Sequence, residues 1–156
     1  MSKVYIDFSK TKDFPEADYY FKLILRRAVM GVLSHEGIEH DVFVSITLTD
    51  NEYIHALNKR FRGVDRHTDV LSFPMYEREE IDSYVGDGYI ELGDIVLSLE
   101  RAKEQALEVG NTFLEEVAFL TVHSMLHLLG YDHERSKEDD EEQCRKQKEI
   151  VSILEI

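Results

Sequence analysis

Three histidines near the carboxyl end constrain this chain more than any other feature. His123, His127 and His133 follow the spacing H-x3-H-x5-H, and Gly130 lies between the second and the third. On a helix, residues four apart lie about one turn apart on one face, roughly 6 Å along the axis. A glycine supplies the positive φ with which many helices end, so the chain can turn there. The spacing therefore predicts a helix that carries two metal ligands and a turn that returns a third.

Three neutral imidazoles that meet at one point suit a zinc ion. Structural zinc sites are closed by four protein ligands, whereas catalytic sites have three and keep the fourth position open. A chance H-x3-H pair on a packed or surface helix is the alternative interpretation, and the third histidine at the matching offset argues against it. We therefore predict one Zn²⁺ per chain, bound by His123, His127 and His133 in a catalytic arrangement.

The same spacing occurs in the metzincin zinc proteases, whose pattern is H-E-x-x-H-x-x-G-x-x-H. Those enzymes use the glutamate as a general base, and this chain has Ser124 at that position. A hydroxyl cannot take a proton from zinc-bound water at neutral pH. The ligand pattern therefore favours a metallohydrolase, while the missing base argues against a peptidase.

Composition limits where such a protein works and what it binds. With 156 residues we expect one metal-dependent hydrolase domain over residues 1–156. The single cysteine, Cys144, excludes an internal disulfide and suits a reducing cytoplasm. We expect no signal peptide and no membrane contact, because the chain has no run of 18 apolar residues. The net charge of −14 disfavours nonspecific binding to nucleic acid.

One segment departs from this acidic average. Residues 59–67 carry Lys59, Arg60, Arg62 and Arg66 against the single acid Asp65, a local charge of +3. Nucleophilic attack on a phosphodiester places negative charge on the non-bridging oxygens, and an arginine fork suits those oxygens better than it suits a peptide carbonyl. The segment could bring such an arginine to the metal, which favours a phosphodiester substrate.

Periodicity predicts an α/β (α+β) fold, in which helices pack on a small mixed sheet of about four strands. Alternating apolar residues predict strands near residues 4–8, 42–48, 70–74 and 89–97. Two capping boxes, Thr49-x-x-Glu52 and Thr112-x-x-Glu115, predict helix starts, and the second opens the metzincin-like helix that carries the histidines. Residues 77–88 are rich in Glu, Asp and Gly and predict a surface loop.

These motifs resemble those of one family. The run His123-x-x-x-His127-Leu128-x-Gly130-Tyr131-Asp132-His133 resembles the signature H-G-x-L-H-L-x-G-Y-D-H of the YbeY family of bacterial ribosomal-RNA maturation endoribonucleases. Leu57-Asn58, Phe61-Arg62 and the run 68–74 resemble a second block of that family, and residues 92–95 resemble a third. The blocks occur in family order over nearly the whole chain, and Ser124 replaces the usual glycine.

The resemblance implies a function and a set of site residues. It implies that the three histidines bind zinc and that Arg62 is the active-site arginine. The implied activity is cleavage of single-stranded RNA during maturation of the 3′ end of small-subunit ribosomal RNA and ribosome quality control. The implied partners are small-subunit ribosomal proteins and an assembly GTPase.

Two other functions and several general bases stay open at the level of sequence. The chain could be a non-catalytic ribosome-assembly factor with structural zinc, or a metzincin-like peptidase. Asp132, beside His133, could accept a proton or support the metal site, and a turn residue that bonds its own backbone is the alternative. A metal hydroxide acting alone and the 2′-hydroxyl of the substrate are the other candidate bases.

Overall fold

A computed structural model describes residues 3–131 and 137–154, and it confirms the predicted α/β class. In chain order the elements are β1 (Val4–Lys10), α1 (Tyr19–His35), β2 (Val42–Thr49), α2 (Asn51–Arg62), β3 (Val70–Pro74), α3 (Arg78–Asp82), β4 (Ile90–Ser98), α4 (Leu99–Val109), α5 (Phe113–Leu128) and α6 (Lys137–Ile153).

The four strands form one mixed sheet in the order β1-β2-β4-β3. β1, β2 and β4 run parallel, with Val4 opposite Val42 and Val42 opposite Ile90. β3 lies at the edge and runs antiparallel to β4, with Val70 opposite Leu97. The short β3 therefore exposes one backbone edge, beside which the site described below is built.

The core lies between the sheet and the helices that cover it. β2 alternates as predicted, and its inward residues Val42, Val44 and Ile46 are fully buried. They belong to one apolar cluster with the buried faces of α1 and α5. α5 is buried on most sides, as its nearly continuous apolar sequence predicted. Side chains carried by such a helix are held in fixed positions.

Two local predictions were wrong. Thr49 does not cap α2: it is the last residue of β2, and its hydroxyl lies 2.7 Å from that of Thr11. The cap is Asp50, whose carboxylate accepts a hydrogen bond from the Tyr53 amide at 3.0 Å, since aspartate caps at least as well as threonine. The predicted surface loop contains α3, whose Ile81 is fully buried and belongs to the main apolar cluster. Burial of that one apolar residue outweighs the polar composition around it.

In residues 3–131 and 137–154, no helix has the length and apolar character needed to cross a membrane.

Candidate metal centre and basic cleft

α5 presents the first two predicted ligands together. Its start is fixed by a capping box, in which the Thr112 hydroxyl accepts from the Glu115 amide at 3.1 Å and the Glu115 carboxylate accepts from the Thr112 amide at 2.9 Å. The half-buried rings of His123 and His127 then lie on one face of the helix, with 4.8 Å between their centroids. This spacing allows both imidazoles to reach a single ion from the same side.

Helix α5 ends next to Gly130, as the sequence predicted. Gly130 has φ of +103°, in the left-handed region. The amide of Tyr131 then donates to the carbonyl of Leu126 at 3.0 Å, which closes the helix. The other two predicted site residues, Asp132 and His133, lie outside the described residues. Within residues 3–131 and 137–154, no group of three His, Cys, Asp or Glu residues is placed to hold a metal.

Two amides of α6 surround the His123 ring. The Gln147 Oε1 atom lies 3.1 Å from Nδ1 of His123, and the Gln143 Nε2 atom lies 3.4 Å from the same nitrogen. The two contacts exclude each other, because one needs a proton on Nδ1 and the other needs a lone pair. The Gln147 contact is shorter, and Gln143 has another acceptor in the carbonyl of His123 at 3.4 Å. On this ground we assign the proton to Nδ1, which leaves Nε2 as the nitrogen suited to a metal.

A cleft of about 730 Å³ opens beside the two histidines. Its walls come from α5, β3, the end of α2 and the segment that follows α2. Those walls include the side chains Phe61, Arg62, Arg66, Ser72, Phe73, His123 and His127. The structure therefore brings the predicted arginine into the same cleft as the predicted ligand pair, although 60 residues separate Arg62 from His123 in the chain.

A buried asparagine sets the positions of both arginines. Arg62 Nη1 donates to Asn58 Oδ1 at 3.2 Å, and Asn58 Nδ2 donates to the backbone carbonyl of Arg66 at 2.9 Å. Asn58 is only 1% exposed. Gly63, with φ of +69°, ends α2 and lets the chain fold back so that Arg66 comes near Asn58. Sequence reasoning quoted Asn58 only as part of a motif and assigned it no role.

Ser124 occupies the position of the metzincin glutamate, and its side chain is fully buried. Its hydroxyl is hydrogen-bonded to the hydroxyl of Ser72 on β3. The residue therefore fastens the ligand-bearing helix to the edge strand. With no carboxylate at this position, the cleft lacks the base that a metzincin peptidase uses there.

A buried carboxylate connects the turn after Gly130 to three helices. Glu36, whose side chain is 2% exposed, accepts from Tyr131 Oη at 2.6 Å, Lys146 Nζ at 2.9 Å and Arg78 Nη1 at 3.2 Å. The His35 ring lies 3.1 Å from the same carboxylate. Burial alone would raise the pKa of Glu36, but these hydrogen bonds outweigh it and lower the pKa to about 2. Glu36 stays ionised and anchors Tyr131, immediately before Asp132.

Sequence reasoning missed Glu36, Gln143 and Gln147. The acidic start of α6 predicted a solvated helix, but its opposite side buries Gln143, Gln147 and Ile150. The available signal was the pair of uncharged glutamines four residues apart, followed by Ile150 and Leu154, in an otherwise charged helix. That spacing marks one face of a helix.

The chain is similar to proteins of one family along most of its length. Residues 6–155 match the family described as Endoribonuclease YbeY. A relative named Endoribonuclease YbeY from Caldanaerobacter subterraneus is 53% identical over 117 residues, which cover 72% of this chain and 74% of the relative. A relative of the same name from Clostridium botulinum is 40% identical over 159 residues, which cover 94% of this chain and 93% of the relative.

A solved structure has the same fold. The solution structure of TM1509 from Thermotoga maritima aligns with a TM-score of 0.61 at 31% sequence identity, and the alignment covers 96% of this chain and 88% of that one.

Proposed function

The chain belongs to the endoribonuclease YbeY family, and on that premise we propose that it hydrolyses phosphodiester bonds of single-stranded RNA with the help of a bound metal ion. The observation that carries this proposal is the composition of the cleft. Arg62 and Arg66 line the same cleft as His123 and His127. A metal site and a guanidinium that face one space are what phosphodiester hydrolysis needs, since charge develops on the phosphoryl oxygens.

The residues present fit a zinc ion. His123 and His127 are one helical turn apart, and the Gln147 contact leaves Nε2 of His123 as the basic nitrogen. We propose His133 as the third ligand, which gives three imidazoles and the donor set of a catalytic zinc site. When bound, the ion supplies Lewis-acid polarisation of a phosphoryl oxygen and activates a water molecule.

Arg62 has the clearest role among the residues of the chain itself. Its guanidinium can give two parallel hydrogen bonds to the non-bridging oxygens of the scissile phosphate. The bond to Asn58 Oδ1 holds one edge of the fork in place before the substrate arrives. An arginine that is held in this way needs little reorganisation as negative charge builds up on the phosphate. Arg66, anchored through its carbonyl by Asn58, adds positive charge along the RNA backbone.

The base that accepts the proton cannot be residue 124, which is the position of the metzincin glutamate. Ser124 is buried and bonded to Ser72, so it is not a base. We propose Asp132 for this role, because it lies one residue before the third ligand and follows Tyr131, which Glu36 anchors. The 2′-hydroxyl of the substrate is another candidate for the base. All of these residues belong to the single metal-dependent hydrolase domain that we propose for residues 1–156.

The proposed substrate in the cell is ribosomal RNA, with the 3′ end of the small-subunit RNA as the target and the cytoplasm as the location. The net charge of −14 disfavours the capture of free RNA from solution, and it supports a substrate that is presented to the protein by other ribosomal components. Small-subunit ribosomal proteins, which are basic, and an assembly GTPase would bring the RNA to the local +3 segment at residues 59–67. Ribosome quality control is the proposed setting.

One experiment tests the activity directly. Purified protein is incubated with a labelled single-stranded RNA and with the same sequence as a duplex, before chelation, after chelation and after zinc is restored. We expect cleavage of the single strand, loss on chelation, and recovery near one zinc per chain. The variant His40→Ala controls for general effects of losing a histidine, because His40 lies outside the cleft against Tyr84. Cleavage that is indifferent to chelation contradicts the proposal, and turnover of a peptide library without RNA cleavage favours the peptidase.

A further inference from the structure

Phe61 is exposed where a phenylalanine is usually buried. It lies in the last turn of α2, the residue is 57% exposed, and it lines the cleft that holds Arg62 and the two histidines. α2 ends one residue later at Arg62, so the ring and the proposed catalytic guanidinium are neighbours in the chain. What sets Phe61 apart from the other exposed apolar residues is its position on the wall of this cleft beside Arg62, where a bound nucleic acid would meet the ring.

Two side chains contact the Phe61 ring. Phe73 of β3 packs edge-on against it, with 5.5 Å between the centroids and 72° between the planes. The guanidinium carbon of Arg60 lies 5.1 Å from the Phe61 centroid, over the ring. Phe61 therefore packs against one aromatic neighbour and carries one exposed cation over its ring.

A planar base suits the position that Arg60 occupies. Nucleobases stack on aromatic rings more strongly than a solvated cation binds to an exposed ring, so a base can displace the guanidinium. The displaced Arg60 can then pair with a phosphate on the same strand. The charges around the ring suit the phosphates of a nucleic-acid backbone, because Phe61 lies in the same short segment as Arg60, Arg62 and Arg66.

We infer that Phe61 is a stacking platform for one unpaired nucleobase of the RNA, next to the phosphate that Arg62 contacts. This inference rests on the proposed function and specifies how the cleft selects its substrate. A base in a duplex is already stacked on both faces, so only a single strand can offer one to Phe61. Stacking does not read hydrogen-bonding edges, so this subsite tolerates any base and selects for single strands.

The test measures stacking independently of cleavage. The probe is a single-stranded 2′-O-methyl RNA 10-mer with one 2-aminopurine, whose fluorescence falls when the base stacks on a ring. The metal-loaded full-length wild type and the variants Phe61→Leu and Phe61→Trp are titrated with it, and a gel confirms that the probe stays intact. Tyr53→Leu is the matched control, since Tyr53 is an exposed aromatic residue of the same helix, 44% exposed, that does not line the cleft.

We expect the wild type and Phe61→Trp to bind with quenching at one position of the 2-aminopurine. Phe61→Leu should raise Kd about tenfold and lose the quenching, while Tyr53→Leu should behave as wild type. An abasic nucleotide at the quenched position should weaken binding by the wild type and leave binding by Phe61→Leu unchanged. Equal Kd and equal quenching in the wild type and a folded Phe61→Leu variant would overturn this inference but leave the proposed function intact. A wild type that binds no RNA would overturn both.

Discussion

Gln147 Oε1 on α6 lies 3.1 Å from Nδ1 of His123 on α5, and we assign the proton of this hydrogen bond to Nδ1. Gln147 is 3% exposed, so water cannot readily replace it. A histidine whose Nδ1 donates to a fixed acceptor has both its tautomer and its ring orientation set. The carboxyl-terminal helix therefore supports His123, which we propose as a metal ligand, although it contributes no ligand among its described residues.

Replacing Gln147 with Met should weaken metal binding, because the volume is kept while the acceptor for Nδ1 is lost. We expect metal affinity to fall about 10- to 100-fold, measured by competition with a chromogenic chelator. Gln147→Glu keeps an acceptor and should bind metal at least as well as Gln147→Met. The ¹⁵N shifts of the His123 ring in the metal-free protein report the tautomer directly. Unchanged shifts and affinity in Gln147→Met would show that the contact does not set the tautomer.

Glu36→Gln should destabilise the protein in a pH-dependent way. The folded pKa of Glu36, about 2, lies below its ordinary value of 4.5, so the stabilisation is fully present above pH 4.5 and is lost as the pH falls toward 2. The shift corresponds to about 3 kcal/mol at neutral pH. Urea unfolding at pH 7, 5, 4 and 3 should show the gap between the wild type and the variant closing with acidity.

The matched control for that series is Glu91→Gln, which alters an exposed glutamate of β4. It should change the unfolding free energy by less than about 0.5 kcal/mol at each pH. A gap for Glu36→Gln that stays constant from pH 7 to pH 3 would mean that the Glu36 charge contributes no stability.

Gly93→Ala should disturb the wall of the cleft. Gly93 has φ of +144°, and a methyl group there would lie 2.2 Å from the carbonyl oxygen of Phe73 and 3.0 Å from the side chain of Leu128, next to His127. We expect a loss of about 2–5 kcal/mol of stability from strain and overpacking. Gly110→Ala is the control, because Gly110 also has positive φ but nothing within 4 Å of the added carbon. Thermal unfolding in which both variants lose the same stability would argue against the close approach.

Ser124 can be returned to the usual family residue. Ser124→Gly removes the hydrogen bond to Ser72 and places glycine inside α5, so we expect a loss of about 2 kcal/mol of stability. Metal content and RNA cleavage should stay within a few-fold of wild type, because the serine is not a base. Ser124→Ala removes the same hydrogen bond without placing glycine in the helix, so it measures the contribution of the hydrogen bond alone. A large loss of cleavage by a folded, metal-loaded Ser124→Ala would give the hydroxyl a chemical role.

Local pattern was enough to predict the histidine helix. Its start depends on a capping box formed within four residues, its end on one glycine, and its burial on a nearly continuous apolar run. The strands were predicted for the same reason, since alternation is visible within each segment. The placement of Arg62 near the histidines came from resemblance to a family, because no local rule brings two distant segments together.

Contacts between distant segments were not predictable in this way. Glu36 and Tyr131 are 95 residues apart, and His123 and Gln147 are 24 apart. Such pairs depend on how α1, α5 and α6 pack, which periodicity does not specify. The error at Thr49 has a smaller cause, because two adjacent residues could both cap the helix and only the end of β2 decided between them.

The most direct test compares Arg62→Glu and His127→Ala with wild type for RNA cleavage and for metal content, and uses Arg145→Glu and His40→Ala as controls. Arg145 is an exposed arginine of α6 outside the cleft. We predict that wild type and both controls cleave single-stranded RNA with about one metal per chain. Arg62→Glu should keep the metal and lose cleavage, while His127→Ala should stay folded and lose both. Trace cleavage that is equal in all five proteins, or a His127→Ala variant that unfolds, would contradict a catalytic metal site and favour a scaffold with structural zinc.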